Sequence, residues 1–352
     1  MFKSEQRLLE LNSRLSKIIE STGKSVDPTD TTTILINKAS ESLNELKKSN
    51  DELKVHESNL SELACDLISN NRQLTNIDIP IGATKISGYC FNNYTKLTTV
   101  TIPNSVTEIG VNAFDSCESL TVITIPNSVT KIGNGAFNFC QHLTTITMPN
   151  GVTEISNKIF QDCHNLTAIT IPNNVTKIGG YAFYNCKSLT TITIPNSVST
   201  IGEYAFYACT GLTTITIPNG VHTMNAWVFA YCYNLTAITI PNSVTEIDIY
   251  AFYNCKSLTT ITIPNSVSTI GYIPFRECIN LMRVTLESGF NGTGLDLSDS
   301  TKYTRETIVS WLNALKDRTG GSSGKLVIGD ANLKKLTNED IAIAHNKNWT
   351  IV

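Results

Sequence analysis

Several things are scarce in this 352-residue chain, and each scarcity removes a class of function. Only 16% of residues are charged and the formal net charge is −3, with no clustered excess of Lys and Arg. A surface that tracks nucleic-acid phosphates needs such a cluster, so nucleic acid is not an expected partner. No run approaches 18 consecutive apolar residues, which argues against membrane insertion. The opening stretch MFKSEQRLLELNSRLSKIIE carries charges throughout and lacks an apolar h-region, so it does not read as a secretory signal. The expected address is therefore a virion, the cytoplasm or non-classical export. Histidines number five and are scattered; His142 and His164 share an edge in adjacent repeats, but no third ligand column accompanies them. No metal or other cofactor is expected. The stretch from Gly320 to Lys325 is one residue short of a phosphate-binding loop and is followed by Leu326 rather than Ser or Thr, so it reads as a linker. Glu108 and Glu154 lie in an outward column that elsewhere holds Lys131, Lys177 and Thr200, which singles out no acid/base pair. The chain is not expected to be an enzyme.

What the chain has in abundance is repetition. Leu74, Leu97, Leu120, Leu143, Leu166, Leu189, Leu212, Leu235, Leu258 and Leu281 stand 23 residues apart without an insertion. Phe recurs from Phe91 to Phe275 and Pro from Pro80 to Pro264 at the same step. The unit reads L-T-x-I-T-I-P-N-S-V-T-x-I-G-x-x-A-F-x-x-C-x-x. Alternation of Leu and Ile with Thr suits a short strand with one buried face, and Pro ends it by withholding a ladder donor. The V-x-x-I-G-x-x-A-F-x-x-C half has apolar spacings of three and four, which predict a turn and a short helical or 3₁₀ segment. One such unit cannot bury its apolar residues alone; stacked units bury them against each other. Nine full turns with a closing strand at Leu281–Leu286 follow, and at about 4.8 Å per strand they extend roughly 40 Å.

Eight of the ten cysteines, from Cys117 to Cys278, keep the same step. They read as one rung of a buried column of reduced thiols, with cross-linking of neighbouring rungs as the other reading. Residues 181–202 and 250–271 are identical over 22 positions at an offset of 69, three units, a mark of duplicated or exchanged repeats.

This unit resembles the BspA-like class of leucine-rich repeats, found in bacterial surface proteins, protist surface antigens and some phage-associated proteins. The resemblance covers residues 74–286 and implies a curved, right-handed α/β solenoid with a role in adhesion or recognition and no catalytic residues. The expected function is thus non-catalytic binding of a protein or glycan receptor on a cell surface. The alternative is a structural phage tail or fibre protein acting in host receptor binding.

Three domains are expected. Residues 1–73 form helices: Leu8, Leu11, Leu15 and Ile18 line a first one, and a second carries Leu43, Leu46, Asn50, Leu53, Glu57, Leu60, Ala64 and Leu67 in an a/d pattern. That pattern fits either a coiled coil, which would make the chain a homo-oligomer, or a hairpin capping the first repeat. The segment also looks like N-terminal helical pieces of phage tail and baseplate-associated proteins. Residues 74–286 are the solenoid. Residues 287–352 form a small α+β cap, with a helix over Thr304–Asp317, a strand over Lys325–Ile328, a helix capped by Asn338 and running to His345, and an extended tail.

Two surfaces vary enough to recognise a partner. Along the strands, Thr101 to Thr285 form one column, and Thr145, Thr147, Thr191, Thr193, Thr214 and Thr216 give T-x-T rows. Such rows suit any exposed strand, or a neutral hydroxyl surface for glycan or protein, or an ice lattice. Around the Phe column, aromatics gather two positions before and one after: Tyr181 with Tyr184, Tyr204 with Tyr207, and Tyr250 with Tyr253. Trp227, Tyr231 and Tyr233 fill the unit between, and Tyr89 stands alone. These rings form either a packing ladder or a ligand-contacting stripe; Tyr and Trp are enriched at binding hot spots.

Overall fold

A computed structural model describes residues 72–79 and 81–352. The helices expected over residues 1–73 lie almost wholly outside the described residues, and with them the choice between coiled coil and cap. The chain divides into two compact units, residues 1–152 and 153–352.

Within each unit the architecture is a parallel β-solenoid whose register is the sequence period itself. In the first unit Asn76–Asp78 pairs with Thr99–Thr101, placing Ile77 beside Val100. The short strands Lys85–Ile86, Glu108–Ile109 and Lys131–Ile132 form a second parallel sheet. In the second unit Thr214–Thr216, Ala237–Thr239, Thr260–Ile263 and Arg283–Leu286 make four parallel strands in that order. Ile215, Ile238, Ile261 and Val284 lie in one row across them. Every partner is thus 23 residues away, so one column of sequence is one line of contacts. The Leu and Val columns are buried, and the Phe rings stack inside: Phe91, Phe114 and Phe137 in one unit, Phe160, Phe183, Phe206, Phe229, Phe252 and Phe275 in the other.

The expected helical or 3₁₀ segment before and after each Phe does not form. Successive turns take its place. The residues two before and two after each Phe hold positive φ, for example Tyr181 at 58° and Asn185 at 59°, which interrupts any helical run. The reason is where the amides find partners. A five-residue helix leaves nearly all its own groups unpaired. Here Tyr181, Phe183 and Asn185 instead donate to the carbonyls of Glu203, Ala205 and Tyr207 in the next turn, at 3.0, 2.8 and 2.7 Å.

The cysteine column from Cys117 to Cys278 consists of eight buried free thiols. Several donate to the Phe carbonyl of the preceding repeat, as Cys209 does to Phe183 at 3.1 Å. Burial pushes the Cys117 and Cys232 thiols up to about 12, so they stay protonated. The packed-thiol reading therefore holds over cross-linked rungs. Cys90 is disulfide-bonded, and its partner lies outside the described residues.

Beyond the last repeat, α1 (Arg305–Ala314) covers the end of the core. Its Trp311 is fully buried and donates from Nε1 to the Val284 carbonyl at 2.7 Å. The strands Leu295–Asp296, Gly324–Val327 and Trp349–Ile351 form a parallel sheet, with α2 (Asp330–Leu333) and α3 (Asn338–His345) between the last two. The first strand and α2 were not expected. The cap of α3 is Thr337 rather than Asn338: its hydroxyl accepts from the Asp340 amide while Asp340 accepts from the Thr337 amide, a reciprocal capping box. Asp340 also takes two hydrogen bonds from Arg305, at 2.8 and 2.7 Å, which ties α3 to α1.

Candidate functional site

The aromatic side chains named from the sequence come together in the second unit as two parallel files. Because all but Tyr231 sit either two before or one after a stacked Phe, the 23-residue register brings them into line. The outer file runs Tyr181, Tyr204, Trp227, Tyr250, with ring centroids 4.7, 5.9 and 4.3 Å apart and interplanar angles of 10°, 7° and 30°. The inner file begins with Tyr184 stacked on Tyr207 at 4.7 Å and 1°. Tyr231 and Tyr253 continue it at tilted or edge contacts of 5.1 and 5.2 Å, because Ala230 stands where a Tyr would repeat and Tyr231 occupies the next position. The i, i+3 pairs do meet, without a helix: Tyr181 with Tyr184 at 5.6 Å, Tyr204 with Tyr207 at 5.7 Å, Tyr250 with Tyr253 at 5.4 Å. Trp227 touches rings of both files, including Tyr207 and Tyr253. All eight rings are half-buried.

The backbone beneath the outer file is unusual for what it carries. Tyr181, Tyr204, Trp227 and Tyr250 hold φ of 58°, 56°, 58° and 54°. The equivalent positions of the first unit include Asn112 and Gly135, the residue types that adopt this conformation at least cost. The inner rings crowd together, Tyr207 and Tyr253 each lying just over 5 Å from Tyr231, at 5.1 and 5.2 Å. Burial, reinforced by neighbouring tyrosines, pushes Tyr207 up to about 12 and raises Tyr184, Tyr204 and Tyr253 as well. All are therefore neutral hydrogen-bonding phenols at physiological pH.

Two participants escaped the column reading. Tyr272, 64% exposed, meets Tyr250 edge-on at 5.8 Å; it lies three residues before Phe275, one place off the aromatic column. Lys158 occupies the outer column one repeat earlier and puts its ammonium 5.5 Å over the Tyr181 ring. Tyr233 joins the side of the ladder through Tyr231, and Lys256 lies over its ring. Tyr89 is apart, exposed in the first unit.

The strand-face threonines are exposed, but not all on strands. Thr145 and Thr147, and Thr214 and Thr216, flank a buried Ile within a strand, whereas Thr191 and Thr193 lie in extended chain outside any named strand. Hydroxyls of the neighbouring column bond between turns: Thr236 donates to the Thr213 carbonyl and Thr259 to that of Thr236, both at 3.3 Å. His142 is held by the Glu118 carbonyl, while His164 is within 3.5 Å of Asp162. Among the described residues, no three His, Cys, Asp or Glu side chains are grouped to hold a metal. Glu108 is flanked by Lys85 and Lys131 at 3.3 and 3.1 Å; partial burial works to raise its carboxyl, but the two lysines prevail and hold it below the usual range. Lys325 sits in a strand, its amide bonded to the Thr293 hydroxyl, so its glycine-rich approach opens no helix.

Residues 65–190 and 176–296 match, in six copies, the family described as BspA type Leucine rich repeat region. The chain belongs to this family. Solved structures similar to this BspA-type chain include a leucine-rich cell surface protein from Faecalibacterium prausnitzii, at 27% identity and TM-score 0.35, covering 60% of this chain and 88% of that one. A leucine-rich repeat protein from Bacteroides ovatus is 23% identical, with TM-score 0.48 and coverage of 80% and 84%. One from Eubacterium ventriosum is 25% identical, with TM-score 0.47 and coverage of 75% and 69%. No curated protein sequence matches the chain. BspA-type repeats account for the Leu, Ile, Phe and Cys columns; apart from Tyr89, the aromatic files occupy positions that the first unit fills with Asn, Asp and Gly. No helix among the described residues is long and apolar enough to cross a membrane.

Proposed function

We propose that this BspA-type chain is a non-catalytic recognition or adhesion protein that binds a partner on a cell surface through the aromatic ladder Tyr181, Tyr184, Tyr204, Tyr207, Trp227, Tyr231, Tyr250 and Tyr253. Family membership is consistent with recognition. The observation that carries the reading is the left-handed backbone under the outer file. A non-glycine residue there costs about 1–2 kcal/mol, least for Asn. Four successive aromatics at such positions are not what the backbone selects, so their side chains are what is retained. Rings held by their neighbours also lose little freedom when a partner arrives. Residues 74–286 then act as the recognising body and 287–352 as its cap, with 1–73 docking or oligomerising. The tail-fibre alternative rests on residues 1–73, outside the described part of the chain, and no feature of the ladder favours it.

The test is binding of the labelled full chain to a panel of bacterial and epithelial cells, beside the Tyr204→Ala/Trp227→Ala variant. The wild type is expected to bind at least one cell type and the variant to lose most of that binding with its far-UV spectrum intact. Equal binding by a folded variant, or no binding by the wild type to any cell, would overturn the proposal.

A further inference from the structure

The way the rings are packed decides what they can read. In the outer file each interior ring has a neighbour against both faces: Tyr204 lies between Tyr181 and Trp227, and Trp227 between Tyr204 and Tyr250. At the ends the Lys158 ammonium lies over Tyr181 and the Tyr272 ring meets Tyr250 nearly at right angles, at 87°. A sugar that stacks on an aromatic side chain needs an open face, and the interior rings Tyr204 and Trp227 offer none. What the file presents outward is ring edges and phenol hydroxyls. Edges carry the positive part of the ring quadrupole, and a phenol O–H donates.

The charged side chains along the ladder point the same way. From three residues before each Phe to four after, over Phe160 to Phe275, the charged residues that are not buried are Lys158, Lys187, Glu203, Lys256, Arg276 and the half-buried Glu277. That is four cations against two carboxylates, in a chain whose formal net charge is −3. Asp162, in the same stretch, is buried and bonded to Asn185. The identical segments 181–202 and 250–271 supply Tyr-Tyr-Lys twice, as Tyr181, Tyr184, Lys187 and as Tyr250, Tyr253, Lys256. Three strand spacings separate the copies, about 14 Å, the length of roughly four to five extended residues.

Resting on the recognition reading above, we infer that the ladder docks an acidic segment of a partner protein edge-on. Trp227 lies at its centre, and Lys158, Lys187, Lys256 and Arg276 receive carboxylates. The ring edges and hydroxyls meet backbone carbonyls and side-chain acceptors between them. Electrostatic complementarity of this kind speeds encounter and makes binding sensitive to salt.

The experiment uses the full chain against a displayed library of random dodecapeptides, with neutral and acidic oligosaccharide arrays run beside it. Expected are peptides enriched in Asp and Glu whose binding weakens at least about tenfold in Trp227→Ala. The same peptides should weaken comparably in Lys158→Glu/Lys187→Glu/Lys256→Glu, a variant of exposed side chains that leaves the core intact. Raising salt from about 50 to 500 mM should weaken the wild type several-fold. Three outcomes would each overturn the inference: no enriched peptide, enrichment without an acidic bias, or binding confined to oligosaccharides. If cell binding is lost in the ladder variants while acidic peptides fail, only the partner class is wrong. If cell binding survives those variants, the recognition reading itself falls.

Discussion

At Tyr204 two opposing local terms nearly cancel. Its φ of 56° carries a cost of about 1–2 kcal/mol that Asn would reduce. Its ring stacks on Tyr181 and Trp227, contacts worth about 0.5–1.5 kcal/mol each beyond burial. Tyr204→Asn is therefore expected to change unfolding free energy by no more than about 1–2 kcal/mol in denaturant titration, far less than an ordinary aromatic truncation. Phe206, two residues on and fully buried between Phe183 and Phe229, behaves differently. Phe206→Ala should cost about 3–5 kcal/mol, because a stacked column cannot close over the cavity. Equal losses at the two sites would mean that the ladder is core rather than surface. The thiols give a second check at this scale. Burial holds Cys186, Cys209 and Cys255 well above the ordinary thiol range, and the thiolate is the reactive form. A thiol reagent at mildly alkaline pH should leave the column from Cys117 to Cys278 unlabelled until denaturant is added; prompt labelling of the native chain would contradict the buried column.

At the scale of single elements, each turn depends on close approach to the one before. A Cβ built on Gly202 would stand 2.5 Å from the Gly180 amide nitrogen, a backbone atom that cannot swing aside. Gly202→Ala is expected to destabilise the second unit by about 1–3 kcal/mol, read as a lower melting temperature. The capping element turns on Asp340. Its hydrogen bond from the Thr337 amide, joined by those from Arg305, holds its carboxyl below the usual range. A lowered folded value means the stabilisation is fully present above the ordinary carboxylate range and is lost as pH falls through the lowered one. Acid should therefore loosen α3 and the Trp349 strand before the repeats, and Asp340→Asn should remove that part of the pH dependence. Tryptophan fluorescence during acid titration follows it, and an unchanged profile in the variant would contradict the assignment.

At the scale of the whole molecule, the period makes each column of sequence a line of contacts, so the solenoid was readable from the Leu, Phe and Cys spacing alone. The parallel register, the buried thiols and the meeting of Tyr181, Tyr184, Tyr204 and Tyr207 all follow from that one number. What the period could not convey was how the turn half is built. Spacings of three and four at Val, Ile, Ala and Phe fit a helix, but the choice between helical and inter-turn hydrogen bonds is made by the neighbouring repeat. Tyr272 escaped for a related reason, since a ring one place off its column still reaches Tyr250 once the chain has turned. The capping box at Thr337 escaped because Asn338 is itself a good cap, and only the Asp340 side chain decides between them. The recognition reading depends on a surface that the repeat does not require.

The most direct test is therefore to compare Tyr204→Asn/Trp227→Asn with the wild type for cell binding and melting temperature on the same samples. The account predicts binding lost by at least about tenfold with only a small shift in melting. Binding retained by a variant that melts much lower would contradict it, for the ladder would then be packing alone.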